Sequence, residues 1–200
     1  MNFLVSEFGF VSFLARYHEF IVILHFFGVA IGLGGATIAD ILFFKFLKDF
    51  RISEWEAGTL RTLSQVIWAA LAVLVLSGIG LYLPEAQELN QSSKFLVKMA
   101  VVSVIIVNGI FLNLLIAPRL VKISFDKKYD HRTGKLYYIR RLAFALGAIS
   151  LTSWYFAFIL GMLRFVSIDF MPLLFIYLGI LSGAMVASQI LERFFSRRIM

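Results

Sequence analysis

The 200-residue chain contains no cysteine. That one absence excludes disulfides, thiolate metal sites, iron–sulfur clusters and covalent CxxCH haem attachment. Proline occurs only three times, and 16% of residues are charged, against about a quarter in an average soluble domain. Histidine also occurs three times, and no hydrolase triad, metal-spaced histidine pair or phosphate-binding glycine loop can be assembled from what is present. What fills the chain instead is apolar. Hydrophobic residues make up 60%, among them 22 phenylalanines, and there are 14 glycines. A soluble domain cannot hide that much apolar surface, while glycine is more frequent in membrane helices than in soluble ones. The net charge of +7 does not mark nucleic-acid binding, because the basic residues sit at the ends of hydrophobic runs.

A helix needs about 20 apolar residues to cross the hydrocarbon layer. Five segments qualify: about Phe20 to Leu42, Leu63 to Tyr82, Phe95 to Ala117, Leu142 to Leu163 and Pro172 to Leu191. Lipid leaves backbone groups no outside partner, so all five are expected to be helices. The short alternating strands of a barrel are lacking. Ser53 and Glu56 form an S-x-x-E capping box ahead of the second span. Pro84 and Pro118 are expected to close the second and third spans. Asp126 to Gly134 (DKKYDHRTG) is the one long polar loop. No linker divides the chain, so the expectation is one transmembrane domain over residues 1–200, an all-α polytopic bundle in a lipid bilayer.

Basic residues set the orientation, since cytoplasmic loops are rich in them. With the N-terminus outside and the C-terminus in the cytoplasm, 15 Lys and Arg residues fall inside and Arg16, Lys94, Lys98 and Arg164 fall outside. Residues 1–16 lack the basic start and A-x-A site of a cleavable signal. Asn2, Ser6, Gly9, Ser12 and Arg16 recur at three- or four-residue spacing. That polar stripe predicts an amphipathic helix in the outer interface, with the chain turning inward at Tyr17 and His18.

Ionisable groups inside spans are costly and are read first as functional. His25 lies about two turns below the outer boundary, on the same helix face as His18 and about 10 Å from it along the axis. Gly28, Gly32, Gly35, Ala36 and Ala39 lie on that side, which lets something flat or bulky come close. The alternative is that Gly28-x-x-x-Gly32 packs helices and His25 bonds a neighbour. Lys98 enters the third span at nearly the depth of His25, with Lys94 one turn above on the same face. Both lysines also fit simple snorkelling to the interface. The Ser77-Gly78-Ile79-Gly80 stretch is stripped of bulk, and Gly161 and Met162 reach the outer side of the fourth span.

These residues suit a b-type haem. A neutral imidazole from His25 would ligate the iron, apolar walls would cover the macrocycle, and the lysines would pair its propionates. His18 and His25 share one face and cannot sandwich one haem. No other span contains a histidine, so the sixth ligand would be Met162, Lys98, water or a group from a second protomer. Asp40, near the inner end of the first span, reads as an interface-level partner for Lys45 or a loop base rather than as a proton relay. Asn108 and Asn113 read as bonds to neighbouring helices, and His131 as a solvated loop residue. Gly179-x-x-x-Gly183, extended to Ala187, gives the fifth span a tight packing face. A homodimer would pair through that face or through Gly28 and Gly32.

Three stretches carry a resemblance: LHFFGVAIGLGG (Leu24 to Gly35), SQVIWAALAVLVLSGIGLYL (Ser64 to Leu83) and KFLVKMAVVSVIIVNGIFLNLLIAPRL (Lys94 to Leu120). Together they resemble the CopD-like superfamily of small bacterial membrane proteins, which includes the HemJ-type protoporphyrinogen oxidases. The likeness covers spans one to three, about half the chain. It implies a bacterial cytoplasmic (inner) membrane protein, a haem b ligated by the histidine at position 25, and a catalytic need for the lysine at position 98. The continuation GGATIADILFFKF lacks the basic, tyrosine-rich motif of the oxidases. The third span has asparagines where they often show histidine, and a fifth span exceeds their four-helix unit.

Three readings follow. The first is a haem b membrane protein, cytochrome b-like, that passes electrons or oxidises a hydrophobic substrate near the outer face. The second is a cofactor-free packing or scaffold protein. The third is a small transporter, which would want charges lining a path or inverted repeats, and five spans divide badly into repeats.

Overall fold

A bilayer core offers the backbone no hydrogen-bond partners, so a spanning segment has to satisfy its peptide groups within itself. The computed structural model of the chain does this with helices and has no strand among the described residues, which are 2–47, 53–116 and 134–197. The helices are α1 (Asn2–Arg16), α2 (His18–Leu47), α3 (Glu54–Tyr82), α4 (Ala86–Leu89), α5 (Ser93–Phe111), α6 (Gly134–Met162) and α7 (Phe170–Arg197). Five of them, α2, α3, α5, α6 and α7, are long and apolar enough to cross a membrane. The protein is an all-α helical bundle, as its composition implies.

The helix ends follow local chemistry. Ser53 caps α3: its hydroxyl accepts from the Glu56 backbone N at 3.3 Å, and the Glu56 carboxylate accepts from the Ser53 backbone N at 2.7 Å. This capping box starts the helix at Glu54, about nine residues before its apolar run. Pro84 ends α3 as expected, but inside a single 3₁₀ turn over Leu83–Glu85 that leads into α4. Ser92 caps α5 in turn, accepting from the Phe95 backbone N at 3.4 Å. Beyond Phe111 the helix widens into a π turn at Leu112–Ile116. Pro118, His131 and the polar loop up to Thr133 lie outside the described residues. Pro172 falls in the first turn of α7, where a missing N–H is least costly.

Helices α2 and α3 form the most extensive contact, and α6 packs against α2, α5 and α7. The register of α2 on α3 is antiparallel. Ile21 meets Gly80, His25 meets Ser77, Gly28 meets Leu74 and Gly35 meets Ile67. Helix α6 runs antiparallel to α2 as well, pairing Trp154 with Gly32, Tyr155 with Thr37 and Phe144 with Phe44. The main core joins Ala36, Leu71, Val97, Val101, Ile105 and Trp154 with Leu160 near the end of α6 and Leu173 and Tyr177 near the start of α7. Large apolar side chains such as Phe26, Phe27, Ile31, Phe175 and Ile180 remain exposed, which water would penalise and lipid would not.

Helix α1 spans the residues expected for the N-terminal amphipathic helix and ends at the expected break. Backbone bonds from Tyr17 N to Phe13 O and from Ile21 N to Tyr17 O carry the helical ladder across it. Ser12 and Arg16 are exposed. Leu14 is buried and reaches within 3.7 Å of where a Cβ on Gly80 would stand.

Candidate functional site

The antiparallel register of α2 and α3 brings His25 to Ser77. The His25 Nδ1 lies 2.9 Å from Ser77 Oγ, and Ser77 Oγ donates to the Val73 carbonyl at 2.6 Å. A hydroxyl has one proton to give. Since Val73 takes it, we assign the proton between ring and hydroxyl to His25 Nδ1, which makes Ser77 the acceptor. In a neutral imidazole the other nitrogen, Nε2, then carries the free lone pair. Gly78 leaves room beside the ring, since a Cβ there would stand 3.7 Å from His25 Cε1.

Lys98 comes to the same site. It is half-buried, and its Nζ lies 3.8 Å from where a Cβ on Gly161 would be. Lys94, one turn above, donates to the Leu163 carbonyl just past the end of α6. That carbonyl belongs to a helix end with no intrahelical donor left for it. His25, Gly78, Lys98 and Lys94 therefore gather at one end of the bundle.

The other sequence candidates fall elsewhere. Met162, the last residue of α6, is exposed. Gly28 and Gly32 are occupied from within the chain. A Cβ on Gly28 would stand 2.9 Å from Leu74 Cγ, and one on Gly32 would stand 2.6 Å from Trp154 Cη2. Gly179 and Gly183 have nothing within 4 Å. Asn108 bonds a neighbouring helix as expected, its Nδ2 donating to the Leu146 carbonyl at 3.1 Å.

Asp40 departs from its expected role as a partner of Lys45. It turns into the bundle against Gly147 and Ser150 of α6, while Lys45 is exposed. The hydroxyl role of Ser77 and the seat of Trp154 on Gly32 were missed in the sequence. The small-residue stretch around Ser77 stands out in the sequence for its lack of bulk, and its only further signal is a hydroxyl at about the depth of His25. Among the described residues, no group of three or more His, Asp or Glu side chains could hold a metal ion.

Fold and site together define a polytopic helical membrane protein with one oriented histidine between its first two spans. Compared with protein families, characterised proteins and solved structures, the chain finds no match.

Proposed function

We propose that this chain is a haem b protein of the bacterial cytoplasmic membrane, N-terminus outside and C-terminus inside, with His25 Nε2 as axial ligand near the outer face. The observation that carries the reading is the contact of His25 with Ser77. Metal-ligating histidines almost always give their other ring N–H to a fixed acceptor, which sets the tautomer and aims the lone pair. His25 fits that requirement, with Ser77 in the acceptor's place.

Lys98 and Lys94 are the cations at hand for haem propionates. Gly28 and Gly32 contribute by admitting Leu74 and Trp154 to the helix rather than by forming a bare wall, and Gly78 keeps space beside the imidazole. When bound, a haem supplies one-electron chemistry. The chain's own residues hold the ring, orient it and balance charge around it. The activity we assign is electron transfer or oxidation of a hydrophobic substrate reached from the bilayer. The likeness of Leu24–Gly35 and of the Lys94–Leu120 stretch to CopD-like proteins supports the same assignment.

The test is the visible spectrum of the detergent-purified protein, oxidised and dithionite-reduced, beside His25→Ala. The expected result is a Soret band with sharpened reduced bands in the wild type, lost in a variant that still inserts. A featureless wild-type spectrum after haem supply during expression would overturn it. That outcome favours the second reading, a cofactor-free packing protein, which the filling of the Gly28 and Gly32 notches by Leu74 and Trp154 also supports.

For the homodimer we assign the α7 face of Gly179 and Gly183, because the Gly28 and Gly32 face is used inside the chain. Ser182→Cys, exposed on α7, is expected to cross-link to its copy in membranes, and Gly179→Leu to suppress this. Absence of cross-linking in the otherwise unaltered chain would sink the assignment.

A further inference from the structure

Asp40 lies where α2 packs on α6, in the half of the bundle away from His25. At 1.5 Å per residue the two are about 22 Å apart along α2. Asp40 is only 6% exposed. Ser150 hydrogen-bonds its carboxyl, and a Cβ on Gly147 would stand 3.7 Å from Oδ1. Its other oxygen, Oδ2, is buried without a hydrogen-bond partner. Phe44 covers the same glycine from α2.

The same turn of α6 receives Asn108 from α5. Asn108 is 5% exposed, and its Nδ2 is satisfied by the Leu146 carbonyl. Its Oδ1 is buried with no donor. Leu146 and Ser150 are one helical turn apart, so both unsatisfied oxygens belong to side chains that converge on that turn.

A bare carboxylate buried without a counter-ion is strongly unfavourable, and so is a buried acceptor without a donor. One proton shared between them would relieve both. It removes the charge on Asp40 and makes Oδ2 a donor, while Asn108 Oδ1 is an acceptor in need of one. We propose that Asp40, Asn108 and Ser150 form a proton-binding site within the membrane. The Asp40 carboxylate takes up one proton on Oδ2, becoming a carboxylic acid with no other bond broken. The new O–H is shared with Asn108 Oδ1, directly or through one water. The site stands independently of the haem reading.

Infrared spectroscopy of the purified full chain at neutral pH tests it, comparing wild type with Asp40→Asn, Asn108→Ala and Ser150→Ala. The wild type is expected to show the carbonyl stretch of a protonated carboxyl. Asp40→Asn should remove that band, and the other two variants should shift it. Should Asp40→Asn fail to accumulate in the membrane, the two shifts carry the assignment alone. Absence of the band in the wild type overturns the proposal. So does a band that survives Asp40→Asn, which would belong to another carboxyl. A band displaced by added sodium would make the site a cation site instead, and one unmoved by Asn108→Ala would remove Asn108 from it.

Discussion

Ser77 has one hydroxyl proton, and its 2.6 Å contact with the Val73 carbonyl uses it. With the proton assigned in this way, His25 donates from Nδ1, and the chemistry left to the ring is that of Nε2. Ser77→Ala removes the acceptor and frees the ring to rotate or change tautomer. Loss of such an outer partner typically costs 10–100-fold in metal affinity, so haem affinity in a titration of the purified protein is expected to fall by roughly that factor. Unchanged affinity would mean that Ser77 does not orient the ring. His25 itself was legible in the sequence because an ionisable residue inside a span stands out against its neighbours. Its partner was not, since Ser77 lies 52 residues away and becomes a neighbour only through the register of two antiparallel helices. The same limit hid Asp40. Its depth could be read, but the face it turns to α6 could not.

Between helices, the glycines set how closely the elements approach. Gly32 and Gly34 are two residues apart on α2, yet the first meets the Trp154 indole and the second meets nothing within 4 Å. A methyl group at position 32 would overlap a rigid ring that is itself packed in the core. Overpacking of this kind costs about 1–3 kcal/mol. Gly32→Ala is expected to lower the midpoint of thermal unfolding in detergent, while Gly34→Ala leaves it unchanged or raises it through better helix propensity. Equal effects at the two positions would contradict the seat of Trp154 on α2. All five spans could be read from the sequence, because about 20 apolar residues is a strong requirement. Their ends could be read only where local chemistry marks them, as the Ser53 cap and Pro84 do for α3. The residues from Glu54 to Thr62 are helical through the Ser53 cap and not through hydrophobicity, so an apolar window begins too late. The glycine stripe was legible as a place of close approach, but what approaches is Leu74 and Trp154 from the chain itself.

For the whole molecule, the proposed orientation rests on the distribution of charge. Fifteen basic residues lie on one side under the N-terminus-outside arrangement and four on the other, and the side richer in Lys and Arg is held in the cytoplasm. The connection through α4 carries Glu85 and Glu88 and no base, so it is cheap to pass across the membrane. The stretch ahead of the second span, by contrast, follows Lys45, Lys48 and Arg51. A chain without cysteine can be read one introduced thiol at a time. Glu88→Cys, exposed on α4, is expected to react with a membrane-impermeant maleimide added to intact cells. Trp55→Cys, exposed in the first turn of α3, should react only after the membrane is opened. The reverse pattern would place the two lysines beside His25 on the cytoplasmic side. Labelling of both sites in intact cells would show a mixed population, in which the charge difference fails to fix one orientation.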